Sequence, residues 1–384
     1  MLLANHFPQA LPQELVDHII DDVADLEATD SIRGSLSSCR LVCHSWDARA
    51  ARHLLKRVSV TDPKLGAFLR FAKTSERIRT FTQELSILSA VYHFGHWIEL
   101  FAALPKLSAL ELRSDLVVPA EPAPSTSDSA VRTHALANLK IHCVKLDNLL
   151  LFLRPFCRVE TLCLSCSLSI NSVAGEQGES TRQITPLPVG RLVLETCCLF
   201  DTLRILKDIV RPTALVINGI LRRNFGAVNM FLKSTAPDIE ELILHPIREE
   251  TPVALEAMLL PWDQARRAAF TALGECSKMT SLELDIMNVS WCAYLFQGVL
   301  LHMPEGIERL RLTLGYNQWT QALDTLSSHF GAAPEKYGSF ARLELCGLCE
   351  GLLPDDEQKR LRELQAGMQS CLPPRICAVA TIFP

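Results

Sequence analysis

The feature that most restricts what this chain can fold into is a recurrent pattern, L-x-x-L-x-L with conservative substitutions. Clear copies are LLKRVSV (Leu55, Val58, Val60), LSALEL (Leu107, Leu110, Leu112), LANLKI (Leu136, Leu139, Ile141), VETLCL (Val159, Leu162, Leu164) and VGRLVL (Val189, Leu192, Leu194). The series continues with IEELIL (Ile239, Leu242, Leu244), MTSLEL (Met279, Leu282, Leu284), IERLRL (Ile307, Leu310, Leu312) and FARLEL (Phe340, Leu343, Leu345), and weaker copies centre on Leu85 and Leu215. The middle apolar residues stand at 58, 85, 110, 139, 162, 192, 215, 242, 282, 310 and 343, in steps of 27, 25, 29, 23, 30, 23, 27, 40, 28 and 33. Each copy closes in an alternating triplet, the period of a short half-buried strand. Most intervals carry apolar residues at helical spacing: Val91–Leu104, Leu146–Phe156, Leu199–Val210, Asn224–Thr235, Val253–Leu273, Trp291–Met303, Trp319–Phe330 and Asp355–Ser370. One strand and one helix cannot bury their apolar faces alone, so such units have to stack on one another.

This arrangement resembles the leucine-rich-repeat solenoid, which implies an irregular α/β solenoid with a parallel strand face over residues 57–384. The Asn or Cys that completes that motif is mostly lost; Cys197 after Leu194 fits it and Asp115 after Leu112 is a weak substitute. The competing reading is an ordinary α/β domain with a doubly wound sheet. Two segments break the rhythm, residues 119–132 and 171–190, both rich in Pro, Gly, Ser, Thr and charge, and are expected to be long exposed loops. Within each strand the residue between the two leucines, and the one after the second, point away from the core. These pairs run from Glu111/Arg113 to Glu344/Cys346, and the middle of the row, Cys163, Val193, Val216 and Ile243, is apolar between charged repeats. An apolar stripe with a polar rim is the make-up of a recognition surface, so these four are the expected target-binding residues. The competing expectation is that a loop or the C-terminal segment covers them.

The N-terminal segment differs. Leu11-Pro12-Gln13-Glu14-Leu15 suits a helix start, and Leu15 with Ile19, and Val16 with Ile20, fall four apart. A second helix, capped by Asp30 or Ser31, carries Leu36, Cys39, Cys43, Trp46, Ala50 and Leu54 at alternating three and four. LPQELVDHII followed by LSSCRLVCHSWDARAARHLLKRVSV resembles the F-box, in the form it takes in the large F-box families of mushroom-forming fungi. The connection from Ile20 to Leu41 is several residues longer than in the commonest F-boxes. The resemblance covers about residues 8–56 and implies docking on a Skp-family adaptor and, through it, a cullin. Carried over by position, the adaptor contacts are Leu11, Pro12, Leu15, Ile19, Ile20, Leu41, Val42, Cys43 and Trp46. The alternative is that all nine form the core of a helical cap.

Composition narrows the partners. Hydrophobic residues at 48% exclude a disordered chain. A net charge of −5 without long runs of one sign gives no electrostatic footprint for nucleic acid. No stretch of 18 apolar residues occurs, and MLLANHFPQALPQEL has no basic region, so neither a membrane span nor a secretory signal is expected. Fourteen cysteines then read as reduced thiols of a cytoplasmic or nuclear protein. Cys163-x-x-Cys166 and Cys346-x-x-Cys349 lie about six repeats apart, too far to share one zinc ion, so no metal or cofactor is expected. The chain lacks the glycine-rich, P-loop, zincin and nucleophile-elbow motifs. No motif points to catalysis, and the resemblance to the F-box implies a non-catalytic role: the substrate-recognition subunit of a Skp-cullin-F-box ubiquitin ligase, binding an unknown target through its repeats. Other readings are a repeat scaffold whose F-box-like segment only caps the fold and, more distantly, a redox or zinc enzyme using the cysteines.

Overall fold

Alternation along each copy of the repeat sets its leucines on one side of a strand, and lateral pairing then stacks them. The computed structural model describes residues 12–25, 30–88, 94–114, 134–143, 153–166, 185–196, 199–220, 224–246, 270–285, 292–315, 319–332, 335–348 and 376–383, with single positions at 149, 359, 362, 363 and 366. The protein is α/β, and its described residues include twelve parallel strands. Contacts group the chain into two compact units, Met1–His142 and Cys143–Pro384.

The first unit opens with three helices, α1 (Gln13–Asp25), α2 (Asp30–Cys39) and α3 (His44–Lys56). They surround a small core of Val16, Ile20, Leu36 and Ala50, with Val23, Ala24, Cys39, Trp46 and Leu54 packed against it. Strands β1 (Arg57–Thr61), β2 (Glu84–Leu88), β3 (Ala109–Ser114) and β4 (His134–Cys143) follow. Between them lie α4 (Asp62–Thr74), α5 (Glu76–Phe81) and α6 (Phe94–Ala103). Helix α4 starts with a proline in its first turn and buries Leu65, Leu69 and Ala72, spaced four and three apart, so one stripe of the helix faces inward.

The second unit holds β5 (Phe156–Cys166), β6 (Leu187–Thr196), β7 (Val210–Ile220), β8 (Glu241–Pro246), β9 (Ser281–Asp285), β10 (Arg309–Gly315), β11 (Arg342–Leu348) and β12 (Cys377–Phe383). Among its described residues the longer helices are α7 (Leu199–Leu206), α8 (Phe225–Thr235), α9 (Cys292–His302) and α10 (Trp319–Ala332). Within each unit, strands adjacent in the chain are adjacent in the sheet. Val58, Leu85 and Leu110 are lateral partners in the first unit. In the second, Leu162, Leu192, Leu215, Leu242, Leu282, Leu310 and Leu343 form an unbroken ladder. From Leu85 onward these middle leucines are at most 2% exposed. Each such side chain stabilises the fold by about 1.5–3 kcal/mol through burial, so the ladder forms a continuous part of the second unit's core.

Gly190 on β6 lies against the backbone of Glu160 on β5. A Cβ there would lie 2.6 Å from the carbonyl oxygen of Glu160, so only glycine fits without spreading the strands.

Three expectations need correction. The second N-terminal helix is two helices, α2 and α3, because the chain turns at Arg40–Cys43. Leu41 and Val42 donate to the carbonyls of Ser38 and Cys39, and Cys43 is fully extended. The apolar spacing survives the break because residues on both sides of it face one core. The strand β12 has no counterpart in the repeat series, since Ala378 and Ala380 stand where the neighbouring strand has Leu343 and Leu345. The loop expected over 171–190 is shorter at its end, because β6 begins at Leu187. The helical interval 253–273 lies outside the described residues up to 269; at its end Thr271–Glu275 forms a short 3-10 helix entered through Phe270, whose φ of 65° is left-handed. The loop 119–132, residues 171–184 of the second expected loop, and most of the helical intervals 146–156 and 355–370 lie outside the described residues.

Candidate protein-binding surfaces

The helical segment divides its apolar residues between two tasks. Val16 and Ile20 face the core, at 4% and 0% exposure, whereas Leu15 and Ile19, one residue earlier in each pair, remain 50% and 43% exposed. Adjacent positions on a helix are rotated by about 100°, so one four-residue pair faces inward while its neighbour faces out. The turn between α2 and α3 leaves Leu41 at 88% and Val42 at 60% exposure. Eight large apolar side chains are exposed among the described residues, and half of them are Leu15, Ile19, Leu41 and Val42. Pro12 and Cys43 are exposed as well. The carbonyl of Pro12 accepts from the N–H groups of Leu15 and Val16, which fixes the start of α1. Of the other sequence-derived contacts, Ile20 is shut inside the core, Trp46 is half-buried against it, and Leu11 lies outside the described residues.

Polar groups hold these helices in place. Arg49 donates through Nε to Asp21 Oδ1 at 2.7 Å, its second guanidinium nitrogen pairs with Oδ2, and His53 Nε2 lies 2.7 Å from Oδ1. The Arg49 guanidinium therefore holds the Asp21 carboxyl well below the usual carboxylate range, burial opposing and His53 assisting. Asp47 bridges Arg40 at 2.8 Å and Arg77 at 2.7 Å, tying the α2–α3 turn to α5, and its pKa is lowered by those hydrogen bonds. The exposed Cys43 thiol is also lowered, first by its contact with the Ser45 hydroxyl and then by the Trp46 N–H.

The second surface is the strand face opposite the leucines. Cys163, Val193, Val216 and Ile243 are lateral partners on β5 to β8, as their places in the repeat require, and the row continues through Glu283, Arg311 and Glu344 to Val379. The apolar stripe is more closed than expected from sequence. Cys163 and Val193 are half-buried, while Val216 and Ile243 are buried, at 7% and 9% exposure. Parallel strands lie about 4.8 Å apart, so a β-branched side chain between two apolar neighbours shows only its tip.

Beside the stripe, β10 and β11 bring together a group that sequence reading of the row missed. Glu344 is 8% exposed and faces three guanidinium groups. Arg309 donates to it at 3.1 Å, Arg311 lies at 3.8 Å, and Arg342 makes ion-pair contact at 2.6 Å without hydrogen-bond alignment. Arg311 also reaches Glu283 at 3.6 Å. The sequence signal was the alternation Arg309-Leu310-Arg311 beside Arg342-Leu343-Glu344, which puts four charged side chains on one face of neighbouring strands. Reading only the residue between the leucines, and the one after, passes over Arg309 and Arg342. On the first unit's strands Glu111 lies within 3.0 Å of Arg113 and 3.3 Å of His142. Burial raises the Glu111 pKa, and the Arg113 guanidinium more than offsets it, so the group stays ionised.

Among the described residues, no three His, Cys, Asp or Glu side chains converge to hold a metal ion. None of the described helices is long and apolar enough to cross a membrane. Comparison of the chain with protein-family models and with curated proteins finds no match.

Proposed function

We propose that this chain is the substrate-recognition subunit of a Skp-cullin-F-box ubiquitin ligase, docking a Skp-family adaptor through its N-terminal helices and a target protein through its repeats. The observation that carries this reading is the exposure of Leu15, Ile19, Leu41 and Val42. These are positions that the resemblance to the F-box names, and they account for half of the exposed large apolar side chains among the described residues. A helical cap would bury such residues, as it does Val16, Ile20 and Leu36. Apolar side chains left in water at the start and in the turn of a small helical segment fit an apolar partner surface. Ile20 and Trp46 then support the docking residues from behind, and Pro12, Leu15, Ile19, Leu41, Val42 and Cys43 make the contact.

The target side of the proposal is the strand face, with its partly open apolar stripe from Cys163 to Ile243 and the charged group around Glu344 beside it. The chain breaks no bond itself. It raises the effective concentration of target lysines at the ubiquitin-loaded enzyme that the adaptor and cullin bring. Titration of the folded chain with purified Skp-family adaptor tests the reading. A one-to-one complex is expected, and a folded chain that does not bind leaves the repeat scaffold with a helical cap in its place.

A further inference from the structure

We propose that the first unit carries a binding site for a small, multiply phosphorylated anion. The site is a cavity of about 440 Å³ lined by the end of α3, the end of α5, the start of β2 and the turn after α6. Its walls present five basic side chains, Arg49, Arg52, His53, Lys56 and Lys106, with the Thr80 hydroxyl and the Gln83 amide between them. The volume falls in the range of about 300–1,000 Å³ typical of small-molecule sites.

Three of the five basic side chains, Arg52, Lys56 and Lys106, have no carboxylate partner among the described residues. Asp21 is engaged by the other two, with Arg49 on both of its oxygens and His53 on one. Three nearby backbone carbonyls already accept hydrogen bonds: Lys56 O from Gln83 N, Gln83 O from Ser108 N and Ala109 N, and Ile78 O from Thr82 N. Basic residues in the last turn of a helix offset its dipole, which accounts for His53 and Lys56 on α3. That leaves Arg52, which projects from the preceding turn, and Lys106, which belongs to another element.

Cations that converge on one cavity repel each other unless an anion sits among them. Arginine binds phosphate oxygens through paired N–H groups and lysine through a point charge, and both kinds of donor are present here. A single carboxylate would leave most of these donors unused, whereas two or three linked phosphates would satisfy them together. The site is distinct from the adaptor and target surfaces and does not depend on their assignment.

The test is calorimetric titration of the full chain with tripolyphosphate, with orthophosphate as the single-phosphate comparison. A parallel arm uses phosphatidylcholine vesicles with and without phosphatidylinositol bisphosphate, which separates a soluble ligand from a lipid headgroup. Saturable one-to-one binding is expected, stronger for the linked phosphates and weakened by salt. The double variant Arg52→Gln with Lys106→Gln removes two exposed side chains without touching the core, so its unliganded melting curve should match that of the wild type. Its affinity should fall on the order of 100-fold, one decade or so for each charged hydrogen-bonding partner lost. Absence of saturable binding to both soluble and vesicle probes overturns the proposal, as does equal affinity in the folded double variant.

Discussion

Replacing Leu41 and Val42 together by alanine separates docking from folding, because the two side chains contribute so unequally to each. Truncating leucine removes three carbon groups and truncating valine two, worth about 2.4 and 1.6 kcal/mol at about 0.8 kcal/mol per group if all were buried. In the free protein Leu41 is 88% exposed and Val42 is 60% exposed, so most of that burial has not been realised. The expected loss of folding stability is therefore under about 1 kcal/mol, scaling the transfer energy by the buried fraction. An adaptor that covers both side chains would realise the remaining ~3 kcal/mol, which corresponds to an affinity on the order of 100-fold weaker in the double variant. The assay is titration with purified adaptor beside a urea or thermal unfolding curve of each protein. Ile20→Ala serves as the contrast: its side chain is 0% exposed, so truncation should cost about 2–5 kcal/mol in stability. Unaltered adaptor affinity in a folded Leu41→Ala, Val42→Ala protein would refute the argument that these side chains are exposed in order to be covered.

Three further outcomes are expected. Gly190→Ala should destabilise the second unit by about 1–3 kcal/mol, seen as a lower urea midpoint, because the strands must open by at least about 0.4 Å to relieve a 2.6 Å approach to the Glu160 carbonyl. Alkylation mapped by peptide mass spectrometry should find Cys43 reactive in the free protein and shielded once adaptor is bound. Cys276, fully buried with its thiol pushed up to about 12 by burial, should label only after unfolding. His329 lies 2.7 Å from the Tyr337 hydroxyl, and burial, then the charge of Lys336, depresses its pKa. Its folded form resists protonation, so its contribution to stability is complete above the ordinary value of about 6.5 and is lost as pH falls through and below it. His329→Gln should flatten that part of the stability-against-pH curve, and an unchanged acid slope would show that this histidine does not carry it.

Much of the architecture is written locally. Alternation around Leu110, Leu162, Leu192 and the other middle leucines marks each repeat strand, and the steps between them leave room for the helices that follow. The register of the leucine ladder is legible too, because a slip of one residue would turn every leucine to the wrong face. The four apolar positions Cys163, Val193, Val216 and Ile243 become lateral partners for the same reason. Where the side-chain pattern weakens, legibility ends: β12 carries Ala378 and Ala380 at leucine positions, and a turn at Arg40–Cys43 divides a helical pattern that runs through it unbroken.

Which apolar pair of the first helix is buried was not decided by its periodicity. Leu15 and Val16, or Ile19 and Ile20, are equivalent candidates for a core until α2 and α3 are in place, and packing chooses Val16 and Ile20. The two charged constellations are likewise tertiary. Arg342 precedes Glu344 by two residues on β11, but Arg309 and Arg311 meet it only through the register of β10 with β11. Arg52, Lys56 and Lys106 reach one cavity from elements some fifty residues apart in the chain. Helix and strand periods are properties of neighbouring residues and can be read along the chain, whereas the meeting of like charges depends on which distant segments the buried leucines draw together.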